Sequence, residues 1–122
     1  MNNRSTYAYY GSLRRGMSNY REFESSLRFL YSEIIGGYRM YALEHFPYAV
    51  KSDESTDLIT VEVFRVTNSS AEKAIHQLEM REGYYYDEVK IRDEYVGIYL
   101  FKTPGSEPLV KNGDWVNFFG MQ

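Results

Sequence analysis

The chain has 122 residues, 43% of them hydrophobic and 17% aromatic, which is enough for one buried core and too little for a second. Its formal net charge of -3 argues against nucleic acid and anionic membranes as partners, and the absence of cysteine excludes disulfides and thiolate chemistry. No apolar run at the start resembles a signal peptide, and no stretch reaches the ~20 apolar residues of a transmembrane helix. We therefore expect a single cytoplasmic domain over residues 1–122.

The first half of the chain predicts strands interrupted by one helix. Residues 6–10 form an aromatic-rich strand that Gly11 closes. A helix is expected to begin at residue 18 or 19 and to run through Leu27. Residues 29–43 indicate two strands, or one strand with a bulge, because Gly36-Gly37 divides them. Pro47 is expected to interrupt any regular element in its neighbourhood.

The middle of the chain contains the clearest strand and the clearest helix. Residues 58–66 alternate apolar and polar side chains, which is typical of a half-buried strand. Ser69 and Glu72 stand at capping-box spacing, so each side chain is expected to bond the other's backbone N–H group. The helix that they open carries apolar residues on one face and is predicted to end at Gly83.

The last third predicts strands at residues 86–92 and 95–102, followed by a turn at Asn112-Gly113 and an aromatic strand at 115–119. In total we expect five to seven strands and two main helices. Strands divided irregularly by two helices favour an α+β domain with a curled, mostly antiparallel sheet or barrel.

Most common kinds of active site are unsupported by the sequence. His45 and His76 lie far apart without partners at metal-ligand spacing, so both are predicted as surface residues. Ser12 does not lie in a Gly-x-Ser-x-Gly nucleophile elbow, and no glycine-rich nucleotide loop is present. If the protein is an enzyme, carboxylates and backbone N–H groups must carry the chemistry.

Two segments offer such groups. Gly11-Ser12-Leu13 follows a strand, and its successive N–H groups could converge on an anionic oxygen, although the same residues also suit a plain turn with a buried leucine. Glu79 and Glu82 flank the apolar face of the predicted helix. Either carboxylate could enter a cavity with a raised pKa, or both could simply be solvated, as most helix glutamates are.

Six segments in chain order resemble the γ-glutamylcyclotransferase-like family. Tyr10-Gly11-Ser12-Leu13-Arg14-Arg15-Gly16 is similar to its Tyr-Gly-[Ser/Thr]-Leu-[Lys/Arg]-x-Gly signature. The others are similar to its Gly-Tyr, Tyr-Pro-Ala-Val and Glu-containing strand segments, its late tyrosine strand and its Gly-Asp-Trp ending. They are residues 37–41, 46–50, 61–66, 97–100 and 113–115.

This resemblance implies a small curled mixed β-barrel with two main helices around a cavity. It also implies an enzyme that cleaves a γ-glutamyl amide or peptide. The substrate's own α-amine attacks the γ-carbonyl, which releases 5-oxoproline and a free amine or amino acid. No metal and no cofactor take part in that reaction. The partner expected is therefore a small γ-glutamyl molecule, with no nucleic acid or membrane partner, and the acidic chain without heptads is expected to be a monomer.

The resemblance also assigns residues. The loop N–H groups would grip the glutamyl part of the substrate, helped by a tyrosine that follows the helix. The substrate-binding residues are then Tyr10, Gly11, Ser12, Leu13 and Tyr86. One glutamate on the helix would take the proton of the attacking amine and return it to the leaving nitrogen.

Two registers of the family's Leu-Asp-x-φ-Glu-Gly helix motif compete for that glutamate. The first selects Glu79, keeps an apolar residue before it and places Tyr85 or Tyr86 at a suitable distance. The second selects Glu82 and keeps Gly83, but puts Arg81 in the apolar position. We favour Glu79, because the phase of the core-facing side constrains the geometry more than a glycine at the helix end does.

Two other functions stay open on the sequence. The family's arginine after the tyrosine is replaced by Asp87-Glu88, which leaves room for a non-catalytic domain that keeps the cavity and binds a small molecule. A structural or interaction protein is the third possibility, and only the 13 tyrosines suggest it. Most of those tyrosines lie at strand positions, where a role in the core explains them.

Overall fold

The computed structural model describes residues 4–120. Within that range the chain forms seven strands and three α-helices, with short 3-10 helices at Glu24–Ser26 and Lys111–Gly113. In chain order the elements are β1 (Thr6–Tyr9), α1 (Ser18–Phe23), β2 (Leu27–Gly36), β3 (Tyr38–Ala42), β4 (Pro47–Lys51), β5 (Leu58–Val66), α2 (Ser69–Arg81), β6 (Tyr85–Ile91), β7 (Glu94–Leu100) and α3 (Trp115–Gly120). None of the helices in this range is long and apolar enough to cross a membrane.

Five strands form a mixed sheet in the order β2-β5-β1-β7-β6, and β3 pairs with β4 in a separate hairpin. The central strand β1 runs antiparallel to β5 and parallel to β7. The hairpin joins the sheet through single hydrogen bonds, such as that from Phe101 N to Ala49 O at 3.0 Å. The α+β prediction is confirmed, but the described strands form an open curled sheet with a hairpin and not a closed barrel.

Buried side chains lie on both faces of the central strands: all four residues of β1 are buried, and the adjacent Val63 and Phe64 of β5 are both 0% exposed. The central strands β5 and β7 supply fully buried aliphatic side chains, among them Val61, Val63 and Ile98. Ile75 of α2 and Trp115 of α3 are each 1% exposed. Each of these helices therefore packs on the core through one deeply buried residue of its own. Removing this apolar surface from water is the main force that fixes the helices against the sheet.

Four local predictions were wrong. Pro47 begins β4 and pairs with Ala42, because the first residue of a strand can lack an N–H donor without losing the ladder. Asn68, not Ser69, caps α2: its side chain accepts bonds from the N–H groups of Ser70 and Ala71 at 2.8 and 3.1 Å. Glu72 is thereby free to accept hydrogen bonds from the hydroxyl groups of Ser5 and Tyr7.

The predicted strand at residues 115–119 is helix α3. Trp115, Phe118 and Phe119 have helical spacing, and both phenylalanine rings lie within 6 Å of the tryptophan ring, at 5.7 and 5.2 Å between centroids. The Asp114 side chain accepts a hydrogen bond from Asn117 N at 3.3 Å, as a helix cap does. The early helix also ends sooner than predicted, at Phe23, because β2 begins at Leu27.

Candidate functional site

A cavity of about 230 Å³ lies between the loop after β1 and the C-terminal end of α2. Three parts of the chain supply most of its wall: the end of β1 with the following loop, the segment before β4, and the end of α2. The lining residues are 8–13, Ser18, Asn19, 45–47, Leu78, Glu79, Glu82, Tyr84 and Tyr99. The structure thus brings six of the seven predicted site residues to one cavity; the exception is Tyr86.

The loop after β1 is closed by its own hydrogen bonds. Arg14 N donates to Gly11 O at 3.0 Å, and Tyr20 N donates to Ser12 O at 3.1 Å. The Ser12 hydroxyl oxygen accepts from Asn19 Nδ2 at 2.8 Å. Among the hydrogen bonds of residues 4–120, none uses the N–H group of Gly11, Ser12 or Leu13 as donor. Three successive N–H groups beside the cavity are therefore available to an anionic or carbonyl oxygen of a ligand.

Gly11 is required by close packing. A Cβ atom at this position would lie 2.8 Å from Pro47 Cδ and 2.9 Å from Pro47 Cγ, both in a rigid ring. The loop and the start of β4 can approach this closely only because residue 11 has no side chain. The position of Pro47, which the sequence suggested only as an interruption, thus helps to shape the cavity.

A charged cluster, made of Arg14, Arg15, Glu62 and Asp114, lies behind the loop, and Arg14 and Glu62 at its centre are buried. Arg14 Nε donates to Glu62 Oε2 at 2.9 Å, and Arg14 Nη1 donates to Asp114 Oδ1 at 2.8 Å. Glu62 Oε1 accepts from both the backbone N and the Nε of Arg15, at 2.9 and 3.0 Å. Sequence reasoning missed this cluster, because a glutamate in an alternating strand looks solvated, yet Glu62 is only 4% exposed.

Glu79 faces the cavity from α2 and is only partly exposed. Burial, and then the neighbouring negative charge of Glu82, raises the pKa of Glu79 to about 8. No hydrogen bond to its carboxyl group offsets this within the described residues. Glu82 lines the same cavity but is exposed, at the C-cap of α2. The two candidate carboxylates therefore share one wall and differ in their environment.

Two adjacent tyrosines of the wall differ in their hydrogen bonding. The Tyr10 hydroxyl group donates to Tyr99 O at 2.6 Å and accepts from Ala49 N at 3.0 Å. The Tyr9 hydroxyl group is buried and has no partner among residues 4–120. Burial, the nearby Tyr99 and the charge of Glu79 all raise the pKa of Tyr9, so it stays a neutral donor.

The predicted substrate-binding residue Tyr86 lies outside the cavity wall. Its hydroxyl group donates to Glu88 Oε2 at 2.8 Å, and its ring packs edge-on against Tyr7 and Tyr99. Tyr84 lines the cavity instead, with its hydroxyl group donating to Pro47 O. The sequence offered three consecutive tyrosines, and only the point at which β6 begins decides which of them faces the cavity.

The two histidines are exposed, as predicted. His45 lies at the cavity, and Nδ1 of His76 is 2.9 Å from the hydroxyl oxygen of Tyr99. Within the described part of the chain, no group of histidine, aspartate and glutamate side chains is arranged to hold a metal ion. The chemistry that the cavity offers is thus that of N–H donors on one side and carboxyl groups on the other.

The comparisons with known proteins agree with the sequence resemblance. The family model described as "Gamma-glutamyl cyclotransferase, AIG2-like" matches residues 7–117. An uncharacterised protein of Pyrococcus horikoshii has a similar structure, with 27% identity, a TM-score of 0.79, and coverage of 95% of this chain and 93% of that one. A comparison with curated proteins found no match.

Two further structures share the fold at lower identity. One is a uropathogenic Escherichia coli-specific protein, 18% identical with a TM-score of 0.78 over 97% of each chain. The other is an AIG2-like protein of mouse, 16% identical with a TM-score of 0.68, covering 88% of this chain and 86% of that one. Because the family model spans nearly the whole chain, the chain belongs to the gamma-glutamyl cyclotransferase, AIG2-like family.

Proposed function

We propose that this protein is a γ-glutamyl cyclotransferase that converts a γ-glutamyl amide or peptide into 5-oxoproline and a free amine or amino acid. The observation that carries the proposal is the pairing, across one cavity, of three unused loop N–H groups with a partly buried carboxyl group whose pKa is raised to about 8. Such a pairing binds an oxygen-rich group on one side and moves protons on the other.

In this reaction the α-amino nitrogen of the substrate attacks its own γ-carbonyl carbon. A carbon–nitrogen bond forms within the new five-membered ring, and the bond from that carbon to the leaving nitrogen breaks. The proton lost by the attacking amine ends on the leaving amine, so the atoms balance without water. Because the nucleophile belongs to the substrate, the enzyme needs neither an activated side-chain nucleophile nor a metal-bound water.

The loop wall would hold the glutamyl part of the substrate. The N–H groups of Gly11, Ser12 and Leu13 donate to its oxygens, while Tyr10 and the close approach of Pro47 fix the loop. Holding the chain folded for ring closure contributes effective molarity that is worth roughly 7–11 kcal/mol of the barrier in well-oriented intramolecular reactions.

The opposite wall would move the proton. We assign this role to Glu79: its ionised form accepts the proton of the attacking amine, and its neutral form returns it to the leaving nitrogen. A pKa of about 8 keeps both forms accessible near neutral pH, which is what a group that serves first as base and then as acid requires. The exposed Glu82 raises the pKa of Glu79 and is the competing assignment.

The test is to incubate the protein with a panel of γ-glutamyl amides and γ-glutamyl dipeptides and to quantify 5-oxoproline. We expect Glu79→Gln to lower kcat/KM by roughly 10²–10⁴-fold. Glu82→Gln is the matched control, because it makes the same carboxyl-to-amide change on the same wall. Its fold-decrease in kcat/KM should be less than about a tenth of the decrease in Glu79→Gln. The reverse order would move the acid–base role to Glu82.

Two results would go against turnover. If no compound in the panel yields 5-oxoproline but 5-oxoproline itself binds, the protein is a binding domain that shares the cavity. If neither binds, the proposed ligand class is wrong. Calorimetric titration of 5-oxoproline beside the product assay separates these two results.

A further inference from the structure

The charged cluster behind the loop lies where three separate parts of the chain meet. Arg14 belongs to the loop, Glu62 to the centre of β5, and Asp114 to the segment before α3. Arg14 and Glu62 are 7% and 4% exposed, so the ion pair at their centre is withdrawn from water. Arg15 is more exposed, and its guanidinium group stacks on the Phe29 ring at 3.6 Å from the centroid.

A buried ion pair is weak evidence that its residues serve to stabilise the fold. Desolvation of two charges costs several kcal/mol per ion, and apolar residues of similar volume often serve a core equally well. Glu62 lies next to Tyr9 of β1 and Ser32 of β2 in the sheet register, where an apolar side chain would be the ordinary choice. The placement of a carboxylate there therefore needs a reason other than core packing.

The hydrogen bonds of Glu62 indicate that reason. All three go to the two residues that directly follow Leu13: one to the Arg14 side chain, one to the Arg15 backbone and one to the Arg15 side chain. Arg15 N donates to Glu62 Oε1 at 2.9 Å, so the main chain of the loop is bonded directly to a side chain of β5. Arg14 carries the restraint onward, since Nη1 reaches Asp114 on the far side.

We propose that Glu62 is the positioning residue of the ligand-binding loop. Together with the forked guanidinium group of Arg14, it fixes the loop so that the N–H groups of Gly11, Ser12 and Leu13 remain beside the cavity and unpaired before a ligand arrives. It does not touch the ligand. Its effect is pre-organisation, which lowers the cost of ordering the loop when the ligand binds.

The first arm of the test does not depend on the proposed function. Backbone ¹⁵N order parameters of the unliganded protein are measured for wild type and Glu62→Gln. We expect residues 11–15 to fall from about 0.85 to below about 0.6 in the variant, with the Arg92-Asp93 turn unchanged. The matched control is Glu33→Gln. Glu33 lies in β2, the strand next to β5, and accepts a hydrogen bond from Arg92 Nε at 2.9 Å, so this variant breaks a different glutamate–arginine pair. Unchanged order at residues 11–15 in Glu62→Gln would overturn the proposal.

The second arm, which rests on the proposed function, separates binding from chemistry. Loss of pre-organisation weakens ground state and transition state alike, so we expect Glu62→Gln to raise KM about 10–100-fold while kcat changes by less than about threefold. An unchanged KM in a folded Glu62→Gln protein contradicts the proposal. If wild type turns over no γ-glutamyl compound, the proposed function fails and the order parameters still decide this inference.

Arg14→Lys tests the same restraint by a second substitution, in case Glu62→Gln does not fold. Lysine keeps the positive charge, but its single nitrogen cannot replace a planar fork that reaches both Glu62 and Asp114. We expect Arg14→Lys to loosen residues 11–15 and raise KM as Glu62→Gln does. Wild-type order and KM in Arg14→Lys would show that charge, and not the fork, holds the loop, and would overturn the role given to Arg14.

Discussion

The two walls of the cavity are built in opposite ways. In the loop wall, charges are paired and hydroxyl groups are bonded: Glu62 accepts three hydrogen bonds, and the Tyr10 hydroxyl group both donates and accepts. In the α2 wall, the Glu79 carboxyl group has a strongly raised pKa. The hydroxyl group of Tyr9, which belongs to β1 but lies near Glu79, has no partner in the described structure. One wall is ordered in advance, and the other keeps polar groups in an unfavourable environment.

This difference indicates a division of labour. Groups that bind a constant part of a ligand gain from being fixed, because ordering costs are then met during folding. A group that must give and take a proton gains from a pKa near the working pH, which burial provides at the expense of stability. Mutations in the two walls should therefore have different signatures, and the following experiments compare them in order of expected effect.

The largest effect should be on stability in the α2 wall. The folded-state pKa of Glu79, about 8, lies above its ordinary value of 4.5, so between these pH values the folded protein holds a proton that the unfolded chain has released. The free energy of unfolding should fall as pH rises through this window. In Glu79→Gln the fall should be much smaller, with stability above wild type at pH 9 and equal to it below pH 4. Urea unfolding at several pH values measures this, and parallel curves for the two proteins would contradict the raised pKa.

In the loop wall, Gly11→Ala should weaken activity without any change of charge. The new Cβ atom would lie 2.8 Å from the ring of Pro47, so the loop or the start of β4 must shift. Displacing a positioning loop by about 1 Å can cost about 100-fold in kcat/KM. Gly120→Ala is the control, because a Cβ atom there meets nothing within 4 Å. Equal activity of both variants would show that the loop tolerates the shift.

Tyr10→Phe and Tyr9→Phe remove the same atom from two adjacent residues, of which only Tyr10 has a bonded hydroxyl group. Tyr10→Phe leaves the N–H group of Ala49 without its acceptor and should lower the free energy of unfolding by about 2 kcal/mol. Tyr9→Phe removes a buried hydroxyl group that has no partner among residues 4–120, and should raise it by about 1 kcal/mol. Chemical denaturation of both variants at one pH provides the comparison. A loss of stability in Tyr9→Phe would mean that its hydroxyl group is satisfied in solution.

The smallest effect concerns the pH profile. If ionised Glu79 is the base, kcat/KM should rise with pH along a limb centred near pH 8. Glu82→Gln removes a like charge, which favours ionised Glu79, so the limb should move to lower pH. The pKa of the substrate amine is the same for both proteins, so it cannot produce this shift. If the limb of kcat/KM stays at the same pH in Glu82→Gln, the pH profile does not report the ionisation of Glu79.

Strands and helices could be predicted from the sequence wherever one pattern of apolar residues was dominant. Alternation in residues 58–66 marks β5, and the apolar face before Gly83 marks α2. Where two signals competed, the sequence misled. Trp115 and Phe119 look like strand residues by composition, yet their spacing suits a helix that buries the tryptophan.

The candidate site divides in the same manner. The loop at Gly11 is specified by consecutive residues of one motif, so the motif predicts where this part of the site lies in the chain. The charged cluster depends on Arg14, Glu62 and Asp114, which are far apart in the chain and meet only through the sheet. Likewise, whether Tyr84 or Tyr86 faces the cavity depends on where β6 starts, which propensity does not determine to one residue.

The most direct test of the account is product analysis in H₂¹⁸O, with wild-type protein and a γ-glutamyl amide that it accepts. Attack by the substrate's own amine uses no solvent oxygen, so mass spectrometry should detect 5-oxoproline without ¹⁸O and one equivalent of free amine. Glutamate carrying ¹⁸O in its γ-carboxyl group would show hydrolysis and would contradict a cyclotransferase. Release of neither product from any γ-glutamyl amide would contradict the assignment of this cavity to γ-glutamyl chemistry.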